Sequence, residues 1–498
     1  MGNGIKVIPP RIFGGNLIPL ILLSLVFSTA LSLRISMLHD YRPTSPWVWA
    51  LTMTHAEMGR NLINGNGWSL NYNLMRKIAD RVQKENRLVD IQDFLPVDDS
   101  DLGAPNKIIS YAHAPGYSLW LAVGYLLGGQ VRFIYSQYMQ AVLDSCAVIL
   151  IFLMGQVLFN KWAGLAAGML YALSPVHAFL ANLAVQAATD SFWFLTVSYG
   201  AILIWKSRNE NKSYLPGILI TTIGALAGAM MNSTAYVLPG VLMATSIFLR
   251  LFDKRQFSLT WRYFLCQVLV VLVLMPWAYR NYLVYDQFTP IRGTSAQILW
   301  STWGELPNPW GLDFDDKYYW NWVNENCPDP CTSGARQEVA KKFLIHTVIL
   351  SHQFPRHLWN MIKYRAPELY EIFTLPPGLY KQATTETEGK TIYSLASLLN
   401  FLNRWMWIFF PLAFLGFVYF IINKRTYIFP ALLGASPSIF LITFNLITFI
   451  SVRKTIPGYS YFFVFAGGGV IFCGTIIYSI FNKISSYIHL TAPNEKRV

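Results

Sequence analysis

The sequence predicts an all-α, polytopic membrane protein with a bundle of about ten or more transmembrane helices. Of its 498 residues, 54% are hydrophobic and only 13% are charged, and the mean hydropathy is +0.36. Several apolar runs are about 20 residues long, the length of helix that crosses the hydrocarbon core of a bilayer. The net charge of +13 indicates Lys and Arg facing anionic lipid, so the bilayer rather than nucleic acid is the expected partner.

Ten apolar runs predict the spans: residues 16–36, 134–157, 163–184, 190–206, 214–231, 235–251, 260–279, 403–422, 427–450 and 458–482. The chain then divides into an N-terminal transmembrane core (1–279, including a first extracytoplasmic loop, 37–133), a large extracytoplasmic loop (280–402) and C-terminal transmembrane helices (403–498). Within the large loop, the run 336–372 is typical of amphipathic juxtamembrane helices on the membrane surface.

The stretch 113–129 decides on which side of the membrane these loops lie. It offers about 14 apolar residues, fewer than the roughly 17 to 25 of a span, and Pro and Gly lie at its ends. If it does not cross and the N-terminus is cytoplasmic, most basic groups become cytoplasmic, as the positive-inside rule requires. These groups are Lys161, Lys206, Arg208, Lys212, Lys254, Arg255, Lys424, Arg425, Lys496 and Arg497. We therefore expect a re-entrant or interfacial segment, with both loops outside.

Three acidic residues at the outer surface are candidate catalytic bases. Glu57 shares a predicted helix face with Asn61 and Asn64, at spacings i, i+4 and i+7, and a carboxylate there suits proton removal from a hydroxyl. Its alternative is a solvated helix in which Glu57 pairs with Arg60. Asp190 begins the fourth predicted span, where an N-cap is the alternative role, and Asp40 follows the first span.

Positive charges at the outer surface run against the topological preference. Arg280 closes the seventh span in PWAYRN, and Arg453 with Lys454 lies in SVRKTIPGY between the last two spans. They are either interfacial anchors or groups that hold a phosphate, for which the planar fork of Arg is well suited. Asn281, beside Arg280, and Asn61 are candidate substrate-binding side chains.

Two of the five cysteines, Cys327 and Cys331, form the motif CPDPC in the large polar loop. A metal site needs further Cys or His nearby, and none lies close, so a disulfide is expected if the loop is extracytoplasmic. Cys146, Cys266 and Cys473 fall in apolar runs and are expected to be small core residues. No metal site is predicted.

The order of motifs resembles a known superfamily. After the first span come NLINGNGW, HAPGYSLWL, GQVLFNKWAGLAAGMLYALSP, AATDSFWFL, PWAYRNYLVYDQFTPIRGT and RKTIPGYSYFF. This pattern resembles the GT-C integral-membrane glycosyltransferases, in particular the family 39-like branch with the protein O-mannosyltransferases and aminoarabinose transferases. The resemblance covers nearly the whole chain, and PW-x-x-RN and the ALSP…TD pairing are its most specific parts.

The resemblance implies roles for individual residues. Asp190 matches the family's acidic residue in the second outer loop. His113 stands where relatives have a polar or basic residue, and it is a candidate for binding the donor phosphate. Arg280 and Arg453 match basic positions near the donor phosphate. The first loop departs from the pattern: many relatives have an Asp-Glu pair where this chain has ALTMTHAE, so Glu57 or Asp40 is the expected replacement.

What the resemblance implies for function is an inverting, single-displacement hexosyl- or pentosyltransferase. The donor would be a polyprenyl-phosphate-linked sugar and the acceptor a hydroxyl of a lipid, glycan or protein. The lipid phosphate is a good leaving group, so no cofactor or metal is required. The expected location is a bacterial inner membrane with the site facing the periplasm, or alternatively the ER membrane. The rival functions are a transporter or lipid flippase, although no internal repeat is visible, and a non-catalytic scaffold.

Overall fold

The computed structural model describes residues 17–41, 49–71, 107–109, 114–253, 257–289, 291, 295–329, 331–371, 398, 401–423, 427–448 and 452–491. Its helices are α1 (Leu17–Tyr41), α2 (Trp49–Ile63), α3 (Gly116–Gly128), α4 (Phe133–Leu158), α5 (Lys161–Ala172), α6 (Pro175–Asn182), α7 (Asp190–Asn209), α8 (Leu215–Met231), α9 (Leu238–Arg250), α10 (Phe257–Tyr285), α11 (Ser295–Trp303), α12 (Asp316–Asn326), α13 (Ser333–Phe343), α14 (Phe354–Glu371), α15 (Phe409–Asn423), α16 (Ile428–Ile447), α17 (Val452–Tyr459) and α18 (Phe462–Thr491). Strands β1 (Ser69–Asn71) and β2 (Lys107–Ile109) pair antiparallel.

The predicted fold class, a polytopic helical membrane protein, is confirmed. Seven helices of the described chain are long and apolar enough to cross a membrane, and the pair α5–α6, bent by 58°, adds an eighth if it forms one span. The other two predicted spans coincide with α8 (17 residues) and α9 (13 residues), which are shorter. A 3₁₀ turn, Ser233–Val237, precedes α9 and takes up residues that the hydropathy pattern had assigned to the span.

Helix α3 occupies most of the stretch on which the topology depends. Its 13 residues extend over about 20 Å, less than the roughly 30 Å of a hydrocarbon core. Gly116, at its start, packs so closely on the end of α8 that a Cβ atom would lie 2.5 Å from the carbonyl oxygen of Met230. On the other side, Gly59 of α2 lies against Ser118 of α3. The short helix therefore joins the first loop to the end of α8.

The membrane core includes close helix contacts through glycine. Gly416 of α15 lies directly against the carbonyl oxygen of Phe465, and Gly469 of α18 against that of Leu412, so closely that neither position has room for a Cβ atom. Because lipid chains are as apolar as the helices, close packing of small residues is what holds such helices together.

An ion pair is buried inside the bundle. Arg34 of α1 donates to Asp144 of α4 over 2.6 Å, and the Tyr171 hydroxyl donates to the other carboxylate oxygen over 2.6 Å. Both charged side chains are almost completely buried. The acidic residue in the second span is thus accounted for by its pairing with α1.

The large loop predicted at 280–402 contains a folded unit, which we call the loop domain (residues 295–371). Helices α11–α14 surround an aromatic core that includes Trp300, Trp303 and Tyr319. Asp315 and Thr332 cap the N-termini of α12 and α13 through their side-chain oxygens. Cys327 and Cys331 are disulfide-bonded in the connection between these two helices.

Candidate active site

The carboxylate of Glu57 is buried and accepts three hydrogen bonds from neighbouring side chains. Arg60 donates to both of its oxygens over 2.9 Å, and the Asn61 amide donates to Oε1 over 3.2 Å. Glu57 and Asn61 therefore lie on one face of α2, as their spacing indicates. The pairing with Arg60 is the alternative considered from the sequence, but it is buried rather than solvated. A carboxylate in this state has little capacity left to accept a hydrogen bond from a substrate hydroxyl.

The first loop reaches the end of α10 through aromatic contacts. Asn61 also donates to the carbonyl oxygen of Ser69 over 2.7 Å, which fixes the turn after α2. In that turn, the Trp68 ring packs edge-to-face on Trp277 at a centroid distance of 5.4 Å. The guanidinium of Arg280 lies 4.8 Å from the same Trp277 ring. The candidate acid of the first loop and the candidate cation of α10 thus belong to neighbouring parts of one surface.

Asp190 is the first residue of α7, but it does not cap the helix. Its Oδ2 atom accepts a 2.7 Å hydrogen bond from the Asn232 amide, whereas Oδ1 is buried without a hydrogen-bond partner. Asn232 follows α8, and its own oxygen accepts from the backbone and hydroxyl of Thr234. These contacts fix the amide so that its NH₂ group points at Asp190. The start of α7 and the end of α8 therefore meet, and we call this end of the bundle the loop end.

A cavity of about 810 Å³ lies at the loop end, a size typical of small-molecule sites. Apolar side chains of α9, α11 and α16 form much of its wall, including Val241, Leu299 and Phe444. Its polar lining includes Gln186, Asn232, Thr234, Gln267, Asn445, Thr448 and Lys454. Lys454 is the one charged side chain among the described residues that line it. Asp190 adjoins this cavity through Asn232.

The residues of α10 and α17 that the sequence predicts to bind phosphate or substrate differ in their distance from this cavity. Arg280 donates to Asn281 over 2.8 Å, and Asn281 donates to the carbonyl oxygen of Thr289, a lining residue, over 3.0 Å. Both therefore lie behind the edge of the cavity rather than in its wall. Lys454 lies in the wall, and its carbonyl oxygen accepts a 2.8 Å hydrogen bond from Asn445.

Three predicted site residues lie partly or wholly outside the described structure. His113 falls outside the described residues, and the side chains of Asp40 and Arg453 are likewise not described. The backbone puts Asp40 in the last turn of α1 and Arg453 directly before Lys454 in α17. Of the predicted residues whose side chains are described, Lys454 lines the cavity, Asp190 adjoins it through Asn232, and Glu57 lies outside its lining.

Sequence reasoning missed the amide side chains of this cavity. Gln186 lines it with a buried Oε1 atom that has no hydrogen-bond partner. Gln267 ties α10 to α9 and the preceding turn by accepting from the Gly240 amide over 2.8 Å and donating to the Tyr236 carbonyl over 3.0 Å. The available signal was the occurrence of Gln267 and Asn445 inside apolar runs, where polar residues usually face the bundle interior. Among the described residues, no group of three His, Cys, Asp or Glu side chains is placed to hold a metal ion.

The sequence of the region that carries Asp190 matches a family model. Residues 112–279, about a third of the chain, match the model of the dolichyl-phosphate-mannose-protein mannosyltransferases. This region has that family's sequence pattern. It includes α3 to α9 and most of α10, and therefore both Asp190 and Asn232. Comparison of the sequence with curated proteins finds no significant match.

Solved structures extend the likeness to the whole fold. The apo oligosaccharyltransferase of Archaeoglobus fulgidus is 12% identical and superposes with a TM-score of 0.50 over 94% of this chain and 52% of its own. The protein thus has the GT-C fold, and it spans about half the length of that relative. ArnT from Cupriavidus metallidurans is 13% identical, with 91% of this chain and 76% of that chain covered at a TM-score of 0.36.

Proposed function

We propose that this protein transfers a sugar from a polyprenyl-phosphate-linked donor to an acceptor hydroxyl, in the cavity at the loop end. The observation that carries the proposal is the cavity itself, in which Lys454 provides the charge and the Asp190–Asn232 pair adjoins the wall. An ammonium group suits a phosphate, and the apolar wall suits the first isoprene units of its lipid. In support, residues 112–279 match a family named for a dolichyl-phosphate sugar, and the A. fulgidus oligosaccharyltransferase is described in complex with a dolichol-phosphate.

The proposed reaction is a single displacement that inverts the anomeric centre. Asp190 removes the proton of the acceptor hydroxyl through Oδ1, the oxygen that has no partner in the resting site. The acceptor oxygen then forms a bond to the anomeric carbon as the bond from that carbon to the lipid phosphate oxygen breaks. The electron pair leaves with the phosphate, whose charge lies near Lys454, and the proton remains on Asp190.

In this proposal, Asn232 and Glu57 are positioning residues. Asn232 holds Oδ2 of Asp190, so that Oδ1 keeps a fixed orientation. Glu57, already bound to Arg60, stabilises the first loop against α10 rather than removing the proton. Asp40 is the second candidate for the base, because it lies in the last turn of α1, at the start of the predicted first loop.

We further propose that the loop end faces the periplasm of a bacterial inner membrane, or the lumen if the membrane is that of the ER. Asp190 begins α7, and the basic residues Lys206 and Arg208 lie in the last turn of the same helix, at the opposite end. The preference of Lys and Arg for the cytoplasmic side supports an outward orientation of Asp190. Because α11 of the loop domain lines the cavity at this same end of the bundle, the loop domain is extracytoplasmic as well.

The deciding experiment is transfer of radiolabelled sugar by the full-length chain in proteoliposomes. Undecaprenyl phosphate carrying mannose and undecaprenyl phosphate carrying aminoarabinose separate a hexosyl- from a pentosyltransferase. We expect one of them to label an added lipid or peptide acceptor, with no change on addition of EDTA, since the proposed leaving group is stabilised by a side chain. Movement of labelled donor across the bilayer without transfer would make the protein a flippase and overturn the proposal.

A further inference from the structure

Arg365 of α14 is a long cationic side chain that is only 1% exposed. Its Nε and Nη2 atoms both donate to the Glu305 carboxylate, and Nη2 also donates to the Thr302 carbonyl oxygen over 3.0 Å. Its Nη1 atom donates to the Leu446 carbonyl oxygen over 3.1 Å. One guanidinium therefore joins the end of α11, in the loop domain, to the last turn of α16, a candidate membrane span.

Both helices that Arg365 joins are walls of the cavity. Leu299 of α11 and Asn445 of α16 are lining residues on these two helices. Asn445 directly precedes Leu446, and its amide donates to the carbonyl oxygen of Lys454. Arg365 thus holds α16 at Leu446, and the adjacent Asn445 holds the backbone of Lys454, the charged residue of the cavity.

We infer that Arg365 is a positioning residue for the cavity: it fixes α11 against α16 and thereby sets the place of Lys454. The inference rests on the proposed function, since it takes the cavity as the site of the donor phosphate. Arginine suits this place because three nitrogens in a planar fork reach the oxygens of Glu305, Thr302 and Leu446 at once, whereas the three donors of lysine all radiate from one nitrogen. If the ion pair only stabilised the loop domain, its loss would loosen that domain as a whole and leave the binding of phosphate unchanged.

The test compares Arg365→Lys and Arg365→Gln with the same substitutions at Arg356, an exposed arginine on the same helix. Each full-length variant is purified in nanodiscs, and its affinity for undecaprenyl phosphate and its amide hydrogen exchange are measured. For Arg365→Lys we expect a roughly tenfold weaker affinity, equivalent to about 1.4 kcal/mol. Exchange should rise in residues 296–303 and 440–448 and stay unchanged in α12 and α13. The Arg356 variants should match the wild type in both measurements.

Lys454→Gln separates a failure of this inference from a failure of the proposed function. If Arg365→Lys raises exchange at 440–448 but neither variant weakens undecaprenyl phosphate binding, Arg365 positions the walls and the phosphate site is wrong. If Arg365→Lys leaves both exchange and affinity at wild-type values, or raises exchange evenly across 295–371, the positioning role is overturned. Should Arg365→Gln fail to fold, Arg365→Lys and Glu305→Gln still decide, because both keep the bulk of the contact.

Discussion

Asn232 donates a 2.7 Å hydrogen bond to one carboxylate oxygen of Asp190 and leaves the other oxygen buried without a partner. The two residues come from different helix ends, and each is held independently, Asp190 by the start of α7 and Asn232 by its contacts with Thr234. A buried oxygen without a hydrogen bond raises the free energy of the folded protein, and a donor that binds to it recovers part of that cost. A substrate hydroxyl is such a donor.

Asp190→Asn should abolish most of the transfer activity. The amide cannot take up a proton, and loss of a general base lowers kcat by about 100- to 10,000-fold. We expect the KM for the donor to change little, since Asp190 contacts the acceptor in the proposed reaction. The control is Glu210→Gln, a solvent-exposed acid just beyond the other end of α7, which should retain full activity. Full activity in Asp190→Asn would transfer the role of the base to Asp40.

Lys454→Gln should weaken binding of the lipid phosphate. A charge-assisted hydrogen bond contributes about 1.5–3 kcal/mol, so the affinity for undecaprenyl phosphate should fall by roughly ten- to a hundredfold. Lys454→Arg should restore most of it, because the charge is kept. Lys363→Gln, an exposed lysine on α14, is the matched control. Equal affinities for Lys454→Gln and the wild type would remove Lys454 from the phosphate site.

Glu57→Gln should reduce stability far more than activity. The substitution removes the buried carboxylate to which Arg60 donates two hydrogen bonds, and breaking such a buried ion pair costs about 3 kcal/mol or more. We expect a lower Tm in detergent with kcat within a few-fold of the wild type. The double variant Glu57→Gln/Arg60→Gln should recover part of the lost stability, because the positive charge that Glu57 balances is then removed as well. A selective loss of kcat in folded Glu57→Gln would instead make Glu57 the base.

The loop domain should lose stability in mild acid through His357. Burial lowers the pKa of its imidazole below the ordinary value of about 6.5, and its Nε2–H donates to the Trp303 carbonyl oxygen over 3.0 Å. In the unfolded chain the imidazole has its ordinary pKa and takes up a proton at a higher pH than in the folded chain. The contribution of neutral His357 to stability is therefore complete above about pH 6.5 and is lost as the pH drops through the lowered pKa of the folded state. Thermal unfolding at pH 7.5, 6.5 and 5.5 measures this effect. A His357→Gln variant with the same pH dependence as the wild type would exclude His357 as its source.

The sequence predicted those features that depend on local pattern. Helical spacing indicated that Glu57 and Asn61 share a face, and the Pro and Gly residues at the ends of 113–129 coincide with the ends of the short helix α3. The cavity depends on long-range packing and was not predicted: Gln267 and Asn445 lie far apart in the chain, and only the fold brings them together. For the same reason the sequence could not decide between Glu57 and Asp190, because each role depends on partners that spacing does not reveal.

The close contact of Gly116 with Met230 also has a consequence for biosynthesis. The ribosome delivers Gly116 long before α8 exists, so the surface on which α3 rests is missing when α3 first emerges. The contact between α3 and α8 can therefore form only after α4 to α8 have been synthesised and inserted, since Met230 is the later of the two contacting residues to be made. Any side chain larger than hydrogen at Gly116 would block this late docking, so its harm would appear as failed assembly rather than as slowed chemistry.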